Sequence, residues 1–281
     1  AASDVYKRQL ECGKSRFVIN GRSAEDFPKL PKQESKTSFG IDPETLIKLI
    51  HKTIYAVSTD LTRPALCGVL WDVSKTGLSM VSTDGHRLSK VDLVRKFPDI
   101  EGTQVIIPPK ALTTLRSYAE GEKQVKVSIG ENSVTFDMED TVIYSRLLEG
   151  PFPTYQKVIP TSNEKELIVG KEDLADATKR VSILSDTLTH QVVFSAGKDK
   201  LTLHVNTQEI GEAKEEITAK FTADPMDIGY NASYVMDVLK TIDADEISFK
   251  LDRSDNAGLI EPVPESDELK HICILMPLRI S

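Results

Sequence analysis

The sequence predicts an α+β chain made of tandem, like modules, each with antiparallel strands on one side and two helices on the other. Three observations carry this. Runs of alternating apolar residues, bounded by turn signals, mark strands. Four other segments repeat their apolar residues at helical spacing. The order of these segments is traversed twice with a period of about 125 residues, longer than a solenoid repeat.

Each copy opens with a strand that leads into a helix. Thr37 to Ile41 runs into Asp42-Pro43-Glu44. Asp42 suits an N-cap, Pro43 the first helical position and Glu44 the positive helix end. Leu46, Ile47, Ile50 and Ile54 then recur at helical spacing. In the second copy Glu166 to Val169 leads into Lys171-Glu172-Asp173, followed by Leu174, Ala177, Val181 and Leu184. Hairpin strands come next, with Leu78–Thr83 matching Leu201–Asn206. A strand then passes into the second helix, through Val105–Leu112 in one copy and Ile228–Val235 in the other. Alternating strands close each copy: Val125, Val127 and Ile129 against Val134, Phe136 and Met138, and later Ile247, Phe249 and Leu251. The join is expected near Pro160–Glu164. Residues 10–34 read as the end of an earlier unit: Arg16–Asn20 is strand-like, and Phe27–Pro31 is similar to Phe152–Tyr155. Residues 1–9 match nothing else and read as a leader or junction.

Composition narrows the function. The chain has 281 residues, 40% of them hydrophobic, as in ordinary soluble chains. It carries no apolar run of bilayer length and no secretory signal. Cys12, Cys67 and Cys273 are widely spaced and fit neither a zinc site nor a redox pair. The reading is a reduced, cytoplasmic protein without metal or cofactor, with Cys67 and Cys273 as small core residues in apolar strands. A net charge of −8 argues against simple tight nucleic-acid binding, unless the basic residues are segregated on one surface. The helices offer such residues: Lys48, Lys52, Lys110, Arg116, Lys171, Lys179, Arg180 and Lys240. Glu44, Asp173 and Asp176 on the same helices leave a mixed, solvated face equally open.

Two segments stand out. Thr83-Asp-Gly-His-Arg-Leu88 is a polar turn, with Asp84-Gly85 as its signal. Asp84 orienting His86 as a base would make a hydrolase, but adjacent side chains in a turn seldom form that pair, and no nucleophile motif accompanies them. A locally hydrogen-bonded turn, or the rim of a binding groove, are the other readings. The tail His271–Ile280 is apolar almost to its end. Ile272, Ile274 and Met276 alternate, and Pro277 interrupts the ladder. It is either a core strand that closes a sheet or a docking surface.

Taken together, Thr83–Leu88, Val105–Lys110, Ser145–Gly150, Phe152–Tyr155, Val158–Pro160 and Met276–Ile280 resemble the bacterial DNA polymerase III beta subunit family, the sliding clamps, in order and approximate spacing across residues 10–280. The resemblance implies tandem DNA-clamp domains with sheets outside and helices on the inner face. Residues 10–34 would be a remnant of domain 1, 35–160 domain 2 and 161–281 domain 3. It implies a non-enzymatic processivity factor in DNA replication that encircles double-stranded DNA without reading sequence, as a head-to-tail homodimer. Its partners would be replicative and repair polymerases, the clamp loader and other clamp-motif peptides.

By the same resemblance, a peptide-binding pocket between domains 2 and 3 would use Leu66, Thr83, Gly85, His86, Arg87, Leu88, Pro153, Lys157 and Val158. The last domain would add Ile274, Met276, Pro277, Leu278 and Arg279. Lys48, Lys52, Arg63, Lys110, Lys179 and Arg180 would face DNA. Pro64-Ala65 replaces an aromatic pair of some members, and Ser281 follows the aliphatic residue at which the family commonly stops. With only the end of domain 1 present, this chain is expected to be a monomer, or a poorly defined oligomer, that cannot load onto DNA. A general structural repeat protein with no DNA role is the remaining alternative.

Overall fold

A computed structural model describes residues 3–4, 7–23, 25, 35–97, 100, 102–208 and 210–280. The chain divides into Ala1–Glu34 and Ser35–Ser281. In the first unit, β1 (Ser3–Asp4), β2 (Lys7–Cys12) and β3 (Ser15–Asn20) form an antiparallel three-stranded sheet. Gly13, at φ +59°, supplies the left-handed residue of the tight β2–β3 turn. Phe17, Val18 and Ile19 are all more than half exposed. The Phe27–Pro31 motif and Ser281 lie outside the described residues.

In the second unit ten elements recur twice in one order. The first module contains β4 (Thr37–Ile41), α1 (Pro43–Thr53), β5 (Val69–Ser74), β6 (Gly77–Thr83), β7 (Arg87–Val94), β8 (Thr103–Ile107), α2 (Pro109–Ala119), β9 (Val125–Ile129), β10 (Ser133–Asp137) and β11 (Val142–Arg146). The second contains β12 (Lys165–Gly170), α3 (Lys171–Val181), β13 (Gln191–Gly197), β14 (Lys200–Thr207), β15 (Gly211–Phe221), β16 (Met226–Asn231), α4 (Ala232–Leu239), β17 (Glu246–Leu251), β18 (Gly258–Val263) and β19 (Leu269–Leu275). All pairings are antiparallel. One sheet runs β11-β10-β9-β4; the other has twelve strands in the order β16-β13-β14-β15-β12-β17-β18-β19-β7-β6-β5-β8.

Local chemistry explains the helices. The Asp42 carboxylate accepts the Thr45 backbone N–H at 2.9 Å, and Pro43 opens α1. Asn231 caps α4 in the same way, accepting from Ser233 and Tyr234. Each module has its own apolar core. Leu46, Leu49 and Ile50 of α1 pack with Trp71 and Phe136, whose rings meet edge-on at 5.8 Å. Phe194, Tyr230 and Phe249 form a ring cluster in the second core, with centroids 5.4 to 6.3 Å apart. Each such fully buried side chain contributes roughly 1.5–3 kcal/mol.

Two sequence expectations need correction. Cys67 is not in a strand; it ends a 3-10 turn, Pro64–Cys67, because Pro64 opens a tight turn there, and it is only half-buried. Cys273 is buried in β19 as expected. Met276 is not the last alternating residue of the strand, since β19 ends at Leu275. Among the described residues, no helix is long and apolar enough to cross a membrane.

Candidate functional site

The two modules are sewn together by β7 and β19. Seven residue pairs run from Leu93↔Leu269 to Arg87↔Leu275, and the Met276 N–H continues the contact by donating to the His86 carbonyl at 2.9 Å. Side chains alternate across this seam. On one face Leu88 and Ile274 join Leu70, Val81, Ile106, Tyr155 and Leu259 in an apolar cluster drawn from both modules and their connector. The other face carries Arg87, Ser89, His271 and Cys273, which meet the ends of the helices.

The turn before β7 is built from its own polar groups. Asp84 Oδ1 accepts the backbone N–H groups of His86 and Arg87, at 2.8 and 3.0 Å. Gly85 takes φ +94°, and its N–H meets Thr83 Oγ1. Asp84 Oδ2 accepts from Arg87 Nε at 3.1 Å. The carboxylate is therefore committed to the backbone and to Arg87, not to the His86 ring. The His86 imidazole instead stacks on Tyr234 at 6.5 Å. In this turn Asp84 and His86 do not form the acid–base pair a hydrolase would need.

Arg87 crosses to the second module. Nη1 donates to Asp237 Oδ2 at 2.7 Å and Nη2 to the Tyr55 carbonyl at 3.0 Å, with the guanidinium 4.3 Å from the Tyr234 ring centre. Burial alone would lower its pKa, but the Asp237 hydrogen bond and the charges of Asp84 and Asp237 outweigh this and raise it. Deeper in the seam, Ser89 Oγ donates to the Lys52 carbonyl at 2.5 Å and lies 3.1 Å from His271 Nε2. Tyr55 OH donates to Cys273 Sγ at 3.3 Å. Burial pushes His271 down to about 3 and the Cys273 thiol up to about 11, so both are neutral near pH 7.

The expected pocket residues fall into three groups. Thr83, Gly85, His86, Arg87, Leu88, Ile274 and Met276 converge at the β7–β19 end. Of these Leu88 and Ile274 are buried, while Gly85, His86 and Met276 are exposed. Leu66 is buried on the Pro64–Cys67 turn, and Pro153, Lys157 and Val158 are exposed on the connector around Tyr155. Pro277, Leu278 and Arg279 leave the seam and cross to β16. There Leu278 N–H donates to the Gly229 carbonyl at 2.8 Å, and Gln191 Nε2 donates to the Arg279 carbonyl. Leu278 and Arg279 thus border a separate groove of about 1020 Å³ with Gln191, His204 and Ile280.

The expected DNA-facing cations also separate. Lys48, Lys110 and Lys179 are exposed on α1, α2 and α3. Lys52 is a correction: its side chain is only 7% exposed, and its ammonium is held by the Thr241 carbonyl and Asp243 Oδ2, both at 2.8 Å. Its position on the helix turns it into the seam, where a charge needs partners. Arg180 is exposed but forked onto Glu215, at 2.6 and 3.1 Å. Arg63 pairs with Asp60 at 2.9 Å and reaches the Asp84 carbonyl, beside the turn. Sequence reasoning missed Tyr55, Tyr234 and Asp237. Nothing local marks them, because their partner Arg87 is distant in the chain.

Comparison with known proteins decides the family. Residues 40–154 match the model of the DNA polymerase III beta subunit central domain, and residues 156–279 that of its C-terminal domain. The beta sliding clamp of Pseudomonas aeruginosa is 30% identical over 278 residues, covering 99% of this chain and 75% of that protein. The chain belongs to the beta sliding clamp family. The beta sliding clamp of Bacillus subtilis is likewise 30% identical, over 98% of this chain and 73% of its own length. The crystal structure of the P. aeruginosa beta subunit superposes with a TM-score of 0.93 at 28% identity, over 99% of this chain and 76% of that one. Clamps from P. aeruginosa and Bartonella birtlesii have been solved bound to griselimycin. The function is thus that of a DNA sliding clamp, a non-catalytic processivity factor of the replicative polymerase, with DNA and polymerase as the family's partners. Both the hydrolase reading and the structural repeat without a DNA role are set aside.

Proposed function

We propose that the His86–Met276 end of the β7–β19 seam is the site where this clamp receives short peptide segments of polymerases, the clamp loader and other partners. The observation that carries this is the joining of His86 to Met276 across two modules, above an apolar cluster to which both modules contribute. Such a crevice offers a buried floor and an exposed rim, the arrangement in which Leu or Phe anchors gain most. Met276, 44% exposed, supplies an adaptable surface for different partners. The griselimycin complexes of two relatives support a small-ligand site on this fold. Residues 35–160 and 161–281 are taken as the two domains that form it, with residues 10–34 as the end of the preceding one.

On the helix side, Lys48, Lys110 and Lys179 supply sequence-blind phosphate contacts inside a ring. The acidic balance of the whole chain keeps DNA from the outer surface. In the family's homodimer, a second copy closes that ring at the open edge of β15. Residues 1–281 by themselves are expected to sediment as a monomer; a closed dimer would contradict this. The protein works in the cytoplasm, where its polymerase partners are. A synthetic peptide with Leu and Phe anchors is expected to bind with a Kd on the order of micromolar. Removing residues 276–281 is expected to abolish binding in a calorimetric titration, and unchanged binding would refute the site.

A further inference from the structure

We propose that Asp237 is a positioning residue for the peptide site: from α4 it holds the Arg87 guanidinium over the Tyr234 ring, and so keeps the His86–Tyr234 wall assembled before a ligand arrives. This rests on reading the seam as a peptide site.

The Arg87 side chain donates three hydrogen bonds. Two go to groups of its own module, Asp84 Oδ2 at 3.1 Å and the Tyr55 carbonyl at 3.0 Å. The third and shortest, 2.7 Å to Asp237 Oδ2, crosses to the second module. That bond lies one turn along α4 from Tyr234 and sets the guanidinium over the Tyr234 ring at 4.3 Å. Tyr234 in turn stacks on His86 with 28° between the ring planes. His86 accepts the Met276 N–H through its carbonyl. One carboxylate therefore sits at the base of a chain that ends at the exposed rim. The Arg87 side chain is 11% exposed and that of Asp237 33%, so the pair is partly shielded from water and keeps much of its strength. Asp237 Oδ1 also meets Lys240 Nζ at 3.1 Å, which leaves Oδ2 aimed at Arg87.

The consequence is preorganisation. With Asp237 present, the cost of ordering Arg87 and Tyr234 is met on folding rather than on binding. Without its charge, Arg87 keeps Asp84 and Tyr55 but loses its tie to α4. Tyr234 stays packed against the second core but loses the guanidinium fixed over its ring, and each ligand must then order Arg87 and the His86 stack.

The test compares the full chain with D237N and D237E, titrated with griselimycin and with a synthetic Leu/Phe peptide. D237N should melt cooperatively like the parent but bind both probes roughly tenfold more weakly, as expected for a lost charge-assisted bond that preorganises a site. D237E should recover most of the affinity. In the free proteins, the Arg87 Nη protons should give separate NMR signals in the parent and in D237E and merge in D237N. Parent-like affinity with separate Nη signals in D237N overturns the proposal. So does a weakened D237N that D237E fails to rescue, which would point to packing rather than charge. If the parent binds neither probe, the peptide-site reading fails, and the Nη signals alone then decide whether Asp237 holds Arg87.

Discussion

β7 and β15 occupy the same place in their modules and meet different fates. β7 is paired on both sides, with β6 and with β19. β15 pairs with β14 over Gly211–Thr218 and with β12 over Ala219, Lys220 and Phe221. Among the described residues, Gly211–Thr218 has no second strand. The side chains follow. β7 buries Leu88, Ser89, Val91 and Leu93, and its charges Lys90 and Asp92 pair with each other. The open part of β15 carries Glu212, Lys214 and Glu216 exposed, with Glu216 paired to Lys200 and Glu215 held by Arg180. A charged edge deters indiscriminate strand addition and admits only a partner of matching charge. One backbone position thus serves as a sealed seam in one module and a charged edge in the other.

The strongest way to break this comparison is to charge the sealed edge. Ile274→Asp places a carboxylate in the apolar cluster opposite Leu88, and is expected to cost about 3–5 kcal/mol in denaturant unfolding. A loss below about 1 kcal/mol would mean that the seam is not a buried interface.

Acid should open the same edge more gradually. His271 is buried beside Lys52, Asp243, His51 and Cys273, with its pKa lowered from 6.5 to about 3. Between those values the unfolded chain binds a proton that the folded chain refuses. Stability is therefore unaffected above about pH 6.5 and falls by roughly 1.4 kcal/mol per pH unit below it, with carboxylates adding to the loss only near pH 4. Urea melts from pH 7 to 4.5 should show that slope, and His271→Gln should flatten it. An equal slope in the variant would rule out the histidine as its source.

Lys52 and Lys48 sharpen the contrast between seam and helix face. Lys52→Ala removes the Thr241 and Asp243 contacts, and is expected to lower stability by about 1–2 kcal/mol. In a chain able to encircle DNA it should leave the salt dependence of retention unchanged. Lys48→Ala should do the reverse, reducing the salt slope by about one phosphate contact at little cost in stability. The smallest effect belongs to the guarded edge: Glu212→Lys should change the unfolding midpoint by no more than about 0.5 kcal/mol equivalent. A larger change would show that Glu212 is engaged within the chain.

Much of the fold was legible because its signals are local. Asp42-Pro43-Glu44 announces α1 through one cap hydrogen bond and one fixed φ, and Asp84-Gly85 announces its turn through a side chain that caps its own neighbours. The seam residues were less legible. Lys52 reads as one more cation on a polar helix face, yet its ammonium is enclosed because the segment after α4, nearly two hundred positions along the chain, supplies Thr241 and Asp243. The tail was open to two readings; β19 is a core strand, but it lies inside the twelve-stranded sheet between β18 and β7 rather than closing one, and Met276 just beyond it stays exposed.

What the amino-acid order determined by itself is the repeat and its two helices per module: period, caps and alternation act over a few residues and follow from nearby chemistry. What only the tertiary structure decided is which edges meet. That choice set Arg87 against Asp237 and left β15 open, because hydrogen bonds between strands carry no address and burial is settled only when distant surfaces come together.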